Sequence, residues 1–256
     1  MSPVEPNGCG EGMSGATARA LLAEFSDPER AAHAMRFFKT GPGDYGEGDR
    51  FIGVTVPDVR KVERQLPGLP LAGILDLLAS AIHEERLLAL LLMVSRYDKG
   101  DEKVRQEVFE TYLAHRDRIN NWDLVDASAP YIFGRHVHGK GEEERLALAR
   151  SERMWDRRIA MVSTLHSIRQ GETAIVAQLA ELLLNDRHDL MHKAVGWMLR
   201  EAGKRDASML ERFLDRHAAE MPRTALRYAI ERLPEERRKD YMSRKDQARV
   251  RPQRTS

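Results

Sequence analysis

The sequence lacks most of the features that would settle its class directly. It holds one cysteine, Cys9, so no intramolecular disulfide can form, and a reducing, cytoplasmic setting is expected. No apolar run approaches the ~20 residues that a bilayer requires. The most apolar stretch, Leu87 to Val94, follows directly on His83-Glu84-Glu85-Arg86. No basic stretch followed by an apolar block opens the chain, so neither a secretory signal nor a membrane partner is expected. His188 and His192 stand four apart but lack a neighbouring Glu and a third ligand, so no metal is expected, nor any other cofactor. The Gly-rich stretch Gly41 to Gly48 is acidic and is not followed by Lys-Ser/Thr, which makes it a loop rather than a phosphate cradle. His136-Val137-His138 reads as a solvated loop. No Ser/His/Asp or Cys/His arrangement stands out.

Excess charge is also missing overall. The 256 residues carry 41 Lys and Arg against 40 Asp and Glu, which by itself gives no sign of a polyanion partner. The distribution says more. Arg187 to Ser256 holds 18 basic against 11 acidic residues, a balance of +7, and the remainder stands at −6. A basic C-terminal third fits a polyanion footprint on one face, and equally a solvated basic helix surface.

What the sequence has in abundance is helical periodicity. Apolar residues recur at helical spacing in thirteen segments from Ala16 to Arg232, among them Glu84 to Tyr97, Asp123 to Phe133, Asp156 to Arg169 and Asp189 to Glu201. Glycines and Pro234 fall between them, and only Phe51 to Val56 is ambiguous. Many short helices with short connections predict an all-α fold, an α-solenoid of stacked HEAT-like helical pairs with a concave face. Arg86, Trp122, Trp155 and Lys193, separated by 36, 33 and 38 residues, mark a period near that of such repeats. The expected organisation is a flexible leader over 1–13, a single helical domain over 14–242 and a flexible basic tail over 243–256.

Four segments can carry chemistry. In Asn120-Asn121-Trp122-Asp123-Leu124-Val125-Asp126, Trp122 and Asp126 share one helix face, Asn121 suits an N-cap and Asp123 a first-turn charge. A mid-helix Asp beside Leu124 and Val125 has poor propensity, but spacing alone leaves core packing and a site both open. In Trp155-Asp156-Arg157-Arg158, one arginine can be exposed while the other aims at a carboxylate or phosphate. Lys193, Trp197 and Arg200 (or Glu201) form a cationic–aromatic stripe. Arg223 and Arg227 follow Pro222 at a helix start, where basic side chains oppose the dipole and an anionic partner relieves the penalty.

These segments, together with His192 to Glu201, Met221-Pro222-Arg223-Thr224 and the stretch from Phe37-Phe38-Lys39-Thr40-Gly41 to Phe51-Ile52-Gly53-Val54, resemble the hallmarks of the AlkD-like DNA alkylation repair glycosylase family. The likeness keeps order and spacing from about Phe37 to Tyr241. It implies a monomeric helical solenoid that takes duplex DNA in a basic cleft and hydrolyses the N-glycosidic bond of cationic N3- and N7-alkylated purines. Carried over by position, Asp126 would be the catalytic carboxylate, Trp122 and Trp197 the aromatic walls around the lesion nucleotide, and Arg158 a support for DNA and site. Phe38 (or Phe37) stands where active members place a tyrosine. Lys193, Arg200, Arg223 and Arg227 complete the expected DNA contacts. The resemblance also implies that the lesion's backbone is gripped while its base stays stacked.

The residue types fit that chemistry. An alkylated purine cation leaves neutral, so the leaving group needs no general acid. Positive charge moves onto the deoxyribose, which a carboxylate can stabilise while positioning water. Indole faces add ~0.5 to 2 kcal/mol each through their quadrupoles. Two rival readings are a non-catalytic DNA-binding paralogue and a protein-interaction scaffold, since helical stacks often serve as scaffolds.

Overall fold

A computed structural model describes residues 13–250; the leader, apart from Met13, and the last six residues of the tail lie outside the described residues. The described part is all-helical, with no strand and one isolated parallel bridge between Arg50 and Ile82. The chain divides into two compact units after Ser128.

The first unit contains α1 (Gly15–Ala23), α2 (Pro28–Phe37), α3 (Val56–Arg64), α4 (Leu71–Leu78), α5 (His83–Lys99), α6 (Glu102–Ala114), a 3-10 turn and α7 (Trp122–Ser128). Polar N-caps start several of these helices. The side chains of Ser14, Asp27, Thr55 and Asp101 each accept from backbone amides in the first turn that follows. Helix α5 is the centre of the unit and packs on α3, α4, α6 and α7. Leu87 to Met93 is buried without a break, which fits a helix covered on every side. Each of its leucines contributes ~1.5–3 kcal/mol by leaving water.

Phe51 to Val56, ambiguous by pattern, is irregular up to Thr55, the N-cap, and then enters α3. Its Gly53 has φ +80, and a Cβ there would run into the Asp27 carbonyl, so glycine is required twice over.

The second unit contains α8 (Phe133–Val137), α9 (Glu143–Ala149), α10 (Met154–Arg169), α11 (Ala174–Leu182), α12 (Asp189–Gly203), α13 (Ala207–His217), α14 (Arg223–Ala229) and α15 (Glu235–Val250). Helix α10 packs on α8, α9, α11 and α12, and α12 in turn packs on α11, α13 and α14. Within each unit a helix touches its sequence neighbour and the helix two further on, as in α4–α5 with α3–α5 and α12–α13 with α12–α14. That pattern belongs to stacked helix pairs, and the helical-repeat architecture read from the sequence stands. Gly196 allows α12 and α14 to pack closely, because a Cβ there would meet the Ala225 carbonyl and Tyr228 Cβ.

Several boundaries differ from expectation. The segment Asp123 to Phe133 is not one helix: α7 stops at Ser128, Pro130 lies in the turn, and α8 begins at Phe133. His136 lies in α8 and is buried, which corrects its reading as a solvated loop residue. Helix α15 runs through Ser243, where the tail was placed, to Val250. Ion pairs from Arg244 to Asp215 and from Arg223 to Asp246 fix it to neighbouring helices, and such partners are invisible to periodicity.

Candidate active site

Helix α7 begins where Asn121 Oδ1 accepts from the Trp122 amide at 2.8 Å. Trp122 is half-buried among aromatic rings. Phe38 stacks on it at 5.4 Å, Phe37 meets it edge-on at 6.1 Å, and Phe51 stacks on the far face of the cluster, 5.0 Å from Phe38. Phe37 remains 57% exposed, so the cluster presents an aromatic edge to solvent. Asp126 follows one turn later on the same face, half-buried and held by contacts of its own. Trp122 and Asp126 are thus brought together as their spacing implied.

Beneath this turn lies a network that the sequence did not announce. His83 opens α5, is 2% exposed, and faces carboxylates on both sides. Its Nδ1 lies 3.1 Å from Asp49 Oδ2 and its Nε2 2.7 Å from Asp123 Oδ2. Burial alone would lower the His83 pKa, but the bonds to Asp123 and Asp49 prevail and push it up to about 9. Arg86 closes the group, with Nη2 2.7 Å from Asp49 Oδ1 and 3.2 Å from Asn120 Oδ1. Burial would raise the Asp49 carboxyl; the His83 hydrogen bond and the Arg86 charge outweigh it and hold the pKa below the usual range.

The next residue, Glu84, accepts from the backbone amides of Ile52, Gly53 and Val54 at 2.8–3.3 Å. An open pocket of about 400 Å³ borders these groups, lined by Phe38, Phe51, Val54, His83 and Asp123 among others. The signal available in sequence was the run of four polar residues at the head of an apolar helix.

In the second unit, Lys193 and Trp197 lie one turn apart on α12, and Arg200 follows. Trp197 is half-buried beside Arg169, Lys204 and Arg205. The candidate cations are neutralised within the chain: Lys193 by Asp189 at 3.0 Å, Arg200 by Glu201 and Glu231, and Arg223 by Asp246 at 2.8 Å. Asp246 therefore supplies the anion that the start of α14 was expected to want. Arg227 is exposed, with no carboxylate pairing it among the described residues. Of the adjacent arginines, Arg157 aims at the Asp186 carboxylate at 2.6 Å. Arg158 is 4% exposed and donates to the Leu190 carbonyl at 2.6 Å, tying α10 to the first turn of α12. His192 Nε2 lies 2.6 Å from the Asp186 carbonyl. Among the described residues no cluster of three His, Cys, Asp or Glu could hold a metal ion. No described helix is long and apolar enough to cross a membrane.

Comparison with known proteins gives a consistent picture. A family model described as DNA alkylation repair enzyme matches residues 18–233. Among solved structures, a predicted DNA alkylation repair enzyme from Enterococcus faecalis superimposes with a TM-score of 0.63 at 18% identity, over 82% of this chain and 97% of that one. At that identity the likeness is one of fold. No curated protein matches the sequence.

Proposed function

The chain belongs to the DNA alkylation repair enzyme family, and on that premise we propose that it is a monofunctional DNA glycosylase acting on cationic N3- and N7-alkylated purines in duplex DNA. The observation that carries the proposal is the half-buried Asp126 one helical turn from Trp122, itself set in an aromatic cluster with an exposed edge at Phe37. The carboxylate stabilises the oxocarbenium-like sugar and orients the attacking water; the purine leaves neutral and needs no acid. The Trp122 face adds cation–π stabilisation of ~0.5–2 kcal/mol. Within the second unit, Trp197 offers an aromatic contact to DNA, Lys193, Arg200, Arg223 and Arg227 meet phosphates, and Arg158 supports α12 from below.

The test is single-turnover release of 7-methylguanine and 3-methyladenine from methylated duplex DNA by wild type and Asp126→Asn. Release should fall by roughly a hundredfold or more in the variant while binding to unmethylated duplex persists. Binding without release by the wild type would favour a non-catalytic DNA-binding role, a reading that the absent hydroxyl at Phe37 and Phe38 supports. Neither binding nor release would point to a protein-interaction scaffold.

A further inference from the structure

His83 joins three segments of the first unit: the head of α5, the loop that ends at Arg50, and the first turn of α7. Its backbone amide donates to the Arg50 carbonyl at 2.8 Å, and its ring lies 4.5 Å from Phe51 and 5.0 Å from Phe38. Phe38 in turn stacks on Trp122. Both ring nitrogens face carboxylate oxygens, and an ionised carboxylate only accepts. A neutral imidazole has one N–H and would turn a lone pair toward the other carboxylate. The arrangement is satisfied when the ring carries both protons and donates to Asp49 and Asp123 at once.

The charged groups around it then balance. Asp49 from the loop and Asp123 from α7 are anionic; His83 and Arg86 from α5 are cationic. Arg118, in the 3-10 turn, stands next to Arg86, and Glu84 is turned away to the amides of the Ile52–Val54 stretch. On the α2 side the ring is covered by uncharged Phe38, and Glu29, Arg30 and His33 line the pocket beside it. Asp123 also accepts from the Leu124 amide at 2.9 Å, so the carboxylate that His83 holds is itself fastened to the α7 backbone.

We propose that His83 is a positioning residue: as an imidazolium clamped between Asp49 and Asp123, it fixes the first turn of α7 and through it the placing of Trp122 and Asp126. The inference deepens the glycosylase reading and rests on it for the consequence in catalysis, but the positioning itself is measurable without turnover. The pKa of about 9 places loss of the second proton in an accessible range. With the proton gone, one of the two carboxylates faces a lone pair, and the link from Asp49 through His83 to Asp123 is broken at one of its ends.

The experiment labels the full chain with 5-fluorotryptophan and follows its three tryptophan resonances by 19F NMR against pH, assigning Trp122 by Trp122→Phe. The Trp122 resonance should move with a midpoint near 9, while Trp155 and Trp197 show no transition there. His83→Gln leaves one carboxylate facing an amide oxygen and the buried group short of one positive charge. Combining it with Asp49→Asn returns a donor to that place and restores the balance, since Asp123 and Arg86 then remain. The double variant should lose the Trp122 transition.

In base release from methylated duplex, His83→Gln should lose roughly tenfold or more in single-turnover rate with binding little changed, and the double variant should recover most of it. A purely structural His83 would lower the unfolding temperature without a pH-dependent Trp122 signal. The proposal is overturned if the wild-type Trp122 resonance stays flat through that range, if the double variant keeps the transition, or if His83→Gln releases base at the wild-type rate. Should His83→Gln fail to fold, the wild-type titration and the double variant still decide. Should the wild type release no base, the glycosylase reading falls, while the fluorine titration settles the clamp on its own.

Discussion

At the head of α5, His83, Glu84, Glu85 and Arg86 are all at most 4% exposed, whereas on α12 and α14 the pairs Lys193–Asp189 and Arg223–Asp246 stand open to solvent. Each buried residue ties α5 to other segments: His83 to α7 and the Asp49 loop, Glu84 to the Ile52–Val54 stretch, Glu85 to Arg19 of α1 at 2.9 Å, and Arg86 to Asp49 and Asn120. Charges used in that way cannot be lent to a ligand, because removing one partner strands the other away from water, at ~3–5 kcal/mol. An exposed pair contributes only ~0–1 kcal/mol, so a phosphate can take the place of its carboxylate at little loss. The first region builds a rigid base for Trp122 and Asp126; the second holds its cations on exchangeable counter-ions.

The largest test of that contrast is Glu84→Ala set against Glu231→Ala. The first leaves three amides of the Ile52–Val54 stretch without their acceptor and should destabilise the chain by about 3 kcal/mol or more. The second removes an exposed partner of Arg200 and should cost under about 1 kcal/mol. Urea unfolding midpoints measure both, and similar losses would dissolve the distinction between the two regions.

A smaller effect lies in the pH dependence of stability. His83 has a raised pKa, so its contribution is complete below the ordinary imidazole value of 6.5 and is lost as pH rises through about 9. Asp49 has a lowered pKa, so its contribution is complete above the ordinary 3.8 and is lost as pH falls through its depressed value. Stability should therefore be greatest between those two ordinary values and decline toward 9, as read from urea midpoints across pH. In His83→Gln/Asp49→Asn the decline on the basic side should flatten.

Much of the fold was legible because helices announce themselves by periodicity, and Trp122 with Asp126 by a spacing of one turn. The clamp was not, for a physical reason: His83, Asp49 and Asp123 lie 34 and 40 residues apart, and nothing local couples them. In the sequence His83 to Arg86 served as a polar interruption that argued against a membrane span, and Arg86 also as a marker of the repeat period. Yet a helix apolar all round from Leu87 to Met93 must be covered on every side, and charged residues at its head then need buried partners. The same blindness hid the final helix. The residues after Ser243 are polar and basic, and only their partners Asp215, Arg223 and the carbonyls of Ala219 and Glu220 show that they are seated.

That final helix allows the gentlest test. Asp246 sits on Arg223, a cation proposed to meet a phosphate, so Asp246→Asn should free it. Both partners are about half exposed, so stability should change by less than ~1 kcal/mol. Duplex DNA affinity should rise, and the slope of log K against log salt should steepen by about one phosphate contact, ~0.9. Arg223→Ala should shift affinity and slope the other way, uniformly across DNA sequences, and should erase the effect of Asp246→Asn when the two are combined. An unchanged salt slope in Asp246→Asn would remove Arg223 from the DNA path and leave the exposed pairs as ordinary surface charge, which would end the proposed division of labour between the two regions.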